Sequence, residues 1–409
     1  MLKSVSLNDY FDFSLPVTHV SNQNAIKGSD ISGHEKVLVG EQDRSKAFAE
    51  ISSWPGYAKT PLLSLAGLAQ ECDVASIAYK DEAGRFGLGS FKALGGSYAV
   101  LLVIKEKLGG DISTQDILNG KYKDEIAQMT VCSATDGNHG RAVAWSAERF
   151  GCRCVIYVHE RVSQGRMDAI AAYGAEVRQV PGNYDDAVRE AARVSEENGW
   201  TVVSDTSYEG YVTIPRNVIK GYTVMVSEAI DQHEQEFGVA PTHIFVQGGV
   251  GALAGAVASS FWEHYGSQRP RFIVVEPDTA ACLLESAKAG KPAVVKGDLD
   301  TLMAGLACGE VSLLGWEILK LAADDFMSIS DAAAVSAMRL LADLKCVAGE
   351  SAVAGLAGFI LANHDPKLKV DLGLNKDSRL LFFGSEGATD PELYQELIGK
   401  TASEVIAAK

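Results

Sequence analysis

Apolar and polar residues along the chain alternate between two textures. Short, dense apolar runs lie at 76–79, 129–133, 153–159, 176–180, 200–204, 243–246, 272–275 and 380–383. Their length and their polar, glycine-bearing flanks predict strands. Between them lie longer amphipathic stretches rich in Ala, Leu, Glu and Arg, as at 137–150, 184–198 and 217–237. These predict helices, as do 65–71 and 99–108. Strands alternating with helices imply βαβ units and mainly parallel sheets covered on both faces. Residues 1–50 show little periodicity and read as an arm packed on a domain or a second subunit. Residues 363–376 read as a charged loop leading to the last strand.

A chain of 409 residues has room for two or three structural units. Hydrophobic residues make up 47% and charged residues 22%, the balance of a globular protein. The net charge of -16 argues against nucleic acid as a partner, because phosphate binding needs a basic face. No apolar run approaches the ~20 residues that span a bilayer, so no membrane partner is expected. The first 17 residues lack the order of a signal peptide, and a cytoplasmic location is expected. Seven cysteines, an odd number in a large chain, argue against a disulfide framework. Most read as small buried apolar residues, with a Cys282–Cys308 pairing left open. No cluster has metal-ligand spacing.

Ligands of open α/β sheets bind beyond the carboxyl ends of strands, so the chemistry is sought there. After the first run comes a polar loop with Gly84, Gly87 and Gly89, then Lys92 between Phe91 and Ala93. A lysine in such a place is either an ordinary surface cation or, if desolvated, a nucleophilic amine. After the run at 129–133 comes Ala134-Thr135-Asp136-Gly137-Asn138-His139-Gly140, where Asp136 reads as an acid/base or as a helix cap. Asp205 opens the loop after 200–204, and its plain reading is a solvated acid. After 243–246 comes Gln247-Gly248-Gly249-Val250-Gly251-Ala252, a glycine loop feeding a helix, which suits a phosphate. Gly249, Gly251 and Ala254 also fit a dinucleotide fingerprint, with Glu276 where a ribose-binding acid would sit. Ser385 follows the last run, within Gly384-Ser385-Glu386-Gly387. Two further loops stand out, 303–309 and the stretch around Glu350.

Together these stretches resemble the fold type II pyridoxal-phosphate (PLP) enzymes of the tryptophan synthase β and serine/threonine dehydratase superfamily. Within that group the chain is most similar to the diaminopropionate ammonia-lyase family. The resemblance rests on K-D-E-A-G-R-F-G-L-G-S-F-K-A-L-G-G-S-Y-A from Lys80 to Ala99, T-D-G-N-H-G from Thr135 to Gly140, and M-A-G-L-A-C-G-E from Met303 to Glu310. It runs from about Tyr57 to the end of the chain.

The resemblance implies an α/β fold of two domains, each an open, mostly parallel sheet with helices on both faces. Residues 90–215 would form the small domain, and 1–89 with 216–409 the large PLP-binding domain. It implies pyridoxal 5'-phosphate as cofactor, with Lys92 as the Schiff-base lysine and Phe91 near the ring. Asn138 would meet the ring hydroxyl, and Gly248, Gly249, Val250, Gly251 and Ala252 would hold the phosphate. Ser385 would face the pyridine nitrogen, and Asp136 and Asp205 would be the paired carboxylates of the reaction. Gly384 departs from the pattern, standing where a hydroxyl residue is expected. The implied activity is α,β-elimination of 2,3-diaminopropionate, on one or both isomers, to pyruvate and ammonia by a homodimer engaged in amino-acid degradation. The alternatives are a PLP-dependent dehydratase of serine, threonine or a hydroxyaspartate, and a nucleotide-binding protein using the Gly249 loop.

Overall fold

The computed structural model describes residues 6–26, 33–34, 37–135 and 137–407. Eleven strands are assigned among them: β1 Thr18–Ser21, β2 Leu62–Ser64, β3 Ser76–Asp81, β4 Thr130–Thr135, β5 Arg153–His159, β6 Glu176–Val180, β7 Thr201–Val202, β8 His243–Gln247, β9 Arg271–Pro277, β10 Asp325–Ile329 and β11 Arg379–Gly384. They form a seven-stranded sheet in the order β1-β10-β9-β8-β11-β3-β2 and a four-stranded sheet in the order β6-β5-β4-β7. The smaller sheet is parallel throughout. In the larger one only the edge strands β1 and β2 run antiparallel.

Alternation along the central strands sorts their side chains into two cores. Ile244, Val246, Phe272, Val274, Leu381 and Phe383 face the helices Thr213–Phe237 and Ala252–Tyr265. Their neighbours Phe245, Ile273, Val275, Leu380 and Phe382 face Asp331–Asp343 and Ala354–His364. Successive residues of a strand point to opposite faces, so strands apolar at every position require cover on both sides. The four-stranded sheet behaves alike. Ile156 and Val158 belong to the core that includes Val143, Ala144 and Ala147 of the Asn138–Phe150 helix. Val155 and Tyr157 pack with Ala187 and Ala191 of Tyr184–Asn198.

All eight predicted strands form, with small changes at their ends. Three strands are additional: β1, β2 and β10. The arm is more structured than its pattern implies, supplying β1 and a helix at Glu41–Ser52 that buries Ala47 and Ile51. The predicted loop 363–376 contains a helix, Pro366–Asp371, instead. Asp365 caps it by accepting from the amides of Lys367 and Leu368, and proline occupies its first turn, where no N–H is needed. The helix predicted at 99–108 begins earlier, at Lys92.

That helix, Lys92–Lys107, crosses Thr213–Phe237 at two glycines. A Cβ on Gly221 would lie 2.5 Å from the Leu94 carbonyl oxygen, and one on Gly95 would lie 2.4 Å from the Tyr222 ring. The crossing sets Tyr222 against Phe91, with ring centroids 4.5 Å apart.

Candidate active site

Lys92 opens its helix and reaches the cleft between the two sheets. The segment before it is held by a buried ionic network. Arg85 spans Glu82 and Glu228 with donor–acceptor distances of 2.8–2.9 Å, and the Lys80 ammonium donates to Glu228 at 2.7 Å. Lys80, Glu82, Arg85 and Glu228 are at most 1% exposed. Two cations and two anions balance, and Thr60 and Tyr57 take up further carboxylate valence. The charged half of the Lys80–Ala99 stretch is therefore an anchor, and Lys92 is the group it presents.

The Lys92 ammonium donates to Asp205 Oδ2 at 2.5 Å. It also lies 5.4 Å from the Phe91 ring centroid and 5.8 Å from that of Tyr222. Asp205 is buried. Burial alone would raise its carboxyl, but Lys92 and His139 outweigh that and bring it down to about 2. His139 itself is fixed by a 2.9 Å bond between Nε2 and the Val203 carbonyl.

Phe91, Lys92, Asn138, Asp205, Gly248, Gly249, Val250, Ala252 and Ser385 line one cavity. Gly251 lies within the same loop as the N-cap of Ala252–Tyr265, at φ +97°, a conformation costly for any residue with a side chain. Asp136 lies outside the described residues. Asn138 is at the start of its helix, where Thr135 Oγ1 accepts from the amides of Gly137 and Gly140 and closes the turn. Its side-chain amide donates to Glu386. Ser385 Oγ accepts from Gln247 Nε2 at 2.6 Å. Gly384 has a steric reason: a Cβ there would lie 2.3 Å from the buried Tyr79 ring, so no hydroxyl residue fits.

Arg166, Tyr184 and Glu386 also line the cavity but were not singled out from sequence. Arg166 pairs with buried Glu350 at 2.7 Å, and burial together with Glu386 pushes the Glu350 carboxyl upward. Gln247 and Glu386 sit directly beside residues that were singled out, at strand ends, which was the available signal. Arg166 and Tyr184 come from helices of the smaller sheet, and no local pattern marks them.

The dinucleotide alternative fails at Glu276. Its carboxylate is buried behind Gly248, where it accepts from the Leu283 and Leu284 amides at 2.9 and 2.7 Å. It caps a helix and has no open face for a ribose. All seven cysteines are free, Cys282 and Cys308 included.

The sequence matches the pyridoxal-phosphate dependent enzyme family over residues 53–382. The chain belongs to that family. Within this PLP family it is 42% identical over 352 residues to the diaminopropionate ammonia-lyase of Escherichia coli K12, covering 84% of this chain and 88% of the relative. The Salmonella typhimurium diaminopropionate ammonia-lyase is 40% identical over 358 residues, covering 84% and 89%. A crystal structure of the Escherichia coli enzyme, in complex with an aminoacrylate–PLP azomethine reaction intermediate, superposes with a TM-score of 0.86 at 38% identity, covering 94% of this chain and 97% of that one. The fold is accordingly that of the type II PLP enzymes.

The residues present fit such a cofactor. Glycine at the cap of Ala252–Tyr265 offers no side-chain acceptor, so the first-turn amides have none within the helix. They are free to meet an anion, and the helix dipole favours one. A primary amine at Lys92 and a hydroxyl at Ser385 lie elsewhere on the same cavity wall.

Proposed function

We propose that the chain catalyses the PLP-dependent α,β-elimination of 2,3-diaminopropionate, on both D and L isomers, to pyruvate and ammonia. The relatives' names and the Lys92–Asp205 ion pair support this reading. When bound, the cofactor supplies an electron sink that acidifies the substrate's Cα proton. The chain's residues do the rest. Lys92 holds the cofactor covalently, the glycine loop at 248–252 and the first-turn amides of the helix that follows it grip its phosphate, and Asn138 and Ser385 meet the ring's hydroxyl and nitrogen. Lys92, once released, takes the Cα proton from one face, and Asp136 takes it from the other in the opposite isomer.

Asp205 is the observation that favours an amine over a hydroxyl as leaving group. A departing hydroxyl needs a proton donor, and Asp205, which accepts from a lysine ammonium, is placed as an acceptor. A β-ammonium leaves as neutral ammonia without a further proton, and what it needs beforehand is a buried anion to hold it in place, which Asp205 supplies by a charge-assisted hydrogen bond. The aminoacrylate released takes up water and loses the second ammonia, leaving pyruvate.

Residues 90–215 carry the four-stranded sheet and form the small domain in this reading. Residues 1–89 and 216–409 form the large one, with 1–50 as its arm. The domains close on substrate. Among the described residues no helix is long and apolar enough to cross a membrane. The enzyme works as a cytoplasmic homodimer in amino-acid degradation.

The test begins with the visible spectrum. The purified protein should be yellow and bleach with borohydride, the cofactor then being fixed on Lys92 and absent from Lys92→Ala. Release of the 2-oxo acid, pyruvate from diaminopropionate or serine and 2-oxobutyrate from threonine, should favour diaminopropionate by about 100-fold or more in kcat/KM. Faster turnover of serine or threonine overturns the substrate; a protein that stays colourless with added PLP overturns the enzyme.

A further inference from the structure

The Gln247 side chain ends β8 beneath the cavity and is 2% exposed. Its Nε2 makes two bonds, to the Phe383 carbonyl at 2.8 Å and to Ser385 Oγ at 2.6 Å. The first bond fixes which way the amide faces. A backbone carbonyl only accepts, so the amide nitrogen and not the oxygen must sit against Phe383. Gln247 Oε1 has no partner among the described residues, so these two donor contacts alone hold the orientation.

The second bond then has a consequence for Ser385. A hydroxyl has one hydrogen to give, and it accepts through its lone pairs. With Gln247 occupying a lone pair from below, Ser385 is the acceptor in that contact and keeps its own hydrogen for another. Ser385 is 4% exposed and lines the cavity.

We infer that Gln247 is a positioning residue that fixes the Ser385 hydroxyl as a hydrogen-bond donor into the cavity, so that the ring nitrogen it faces stays unprotonated. The inference rests on the proposed placement of Ser385 at the cofactor's pyridine nitrogen and deepens it. A nitrogen whose lone pair receives an O–H has no place for a proton of its own. Were the serine hydrogen drawn toward a neighbour, its lone pairs would face the ring and favour a pyridinium N–H. The choice sets the strength of the electron sink. An unprotonated ring stabilises carbanionic charge less, which suits a substrate whose leaving group departs at once.

The experiment is 15N NMR of holoenzyme reconstituted with PLP labelled at the ring nitrogen, at one neutral pH. Wild type should resonate in the range of a hydrogen-bonded, unprotonated pyridine. Gln247→Leu removes the donor, and Gln247→Glu places an acceptor against the serine hydrogen. Both should shift the resonance toward the pyridinium position. A wild-type resonance already in the pyridinium range overturns the inference without any variant. So does a resonance unmoved in Gln247→Leu or Gln247→Glu when Ser385→Ala does move it, and that result leaves the placement of Ser385 intact. A Ser385→Ala resonance identical to wild type overturns the placement itself, and the role of Gln247 with it.

Discussion

Asp205 and Glu276 are both buried carboxylates, and their surroundings drive them in opposite directions. Asp205 is brought down from 3.8 to about 2 because Lys92 and His139 outweigh burial. Its ion pair therefore stabilises the fold above pH ~4 and is lost as pH falls through about 2. Glu276 is raised from 4.5 to about 8 because burial outweighs the two amides and the Cys282 thiol that bond it. Its contribution is complete below pH ~4.5 and is lost as pH rises through about 8. Wild type should lose about 1–2 kcal/mol between pH 7 and 9, roughly 2–4 °C in Tm, and Glu276→Gln should flatten that slope. Thermal scans across pH check it, and parallel slopes would count against it.

At the same scale, the two proposed bases can be told apart by substrate isomer. Asp136→Asn should cost one isomer about 100-fold or more in kcat and leave the other near wild type. Asp205→Asn should slow both, because each isomer loses the same β-ammonium. Equal losses on both isomers in Asp136→Asn would remove the two-base scheme.

The segment leading to Lys92 is held by charge rather than by apolar packing. Breaking a buried ion pair from one side leaves an uncompensated charge and costs about 3–5 kcal/mol. Glu228→Gln strands part of both Lys80 and Arg85, so urea denaturation should show a loss of that order, and the cofactor should dissociate at lower denaturant than in wild type. Lys80, Glu82 and Arg85 were visible in sequence as part of a long motif, but nothing local told the anchor half from the half that carries Lys92. That distinction depends on Glu228, over a hundred residues away. Strand legibility has similar reasons. β10 begins with Asp325, which is paired with Arg271 and His19, so an acid interrupts its apolar pattern. β1 and β2 are edge strands of four and three residues and offer no alternation to read. Lys92, Asn138, the glycine loop and Ser385 were legible because each follows a strand that reads clearly. Arg166 and Tyr184 depend on how the two sheets face each other.

Over the whole molecule, the cleft is tied on two sides by different chemistry. On one side Ser207 and Ser312, both buried, share a 2.9 Å hydrogen bond, and the amides of Leu313 and Leu314 bond back to Ser207. On the other, Arg166 spans to Glu350, and half-exposed Arg161 lies 3.6 and 4.0 Å from Asp298 and Asp300. Exposed pairs such as those of Arg161 contribute about 0–1 kcal/mol, whereas the Glu350 pair is buried. Arg166→Gln should therefore loosen the cleft and Arg161→Gln should not. The expected signs are faster amide exchange at 160–171, 347–353 and 385–391 and a KM at least about tenfold higher, a change of about 1.4 kcal/mol. Arg161→Gln should stay within about twofold. The Arg166 penalty should also depend on pH. Burial and Glu386 already raise the Glu350 carboxyl, and without the guanidinium it rises further. A raised carboxyl favours the folded state while protonated, so the variant's deficit should be smallest in mild acid and grow as pH climbs. Equal effects of the two substitutions, or a deficit independent of pH, would mean that the cleft is governed by net charge at its mouth and not by the buried pair.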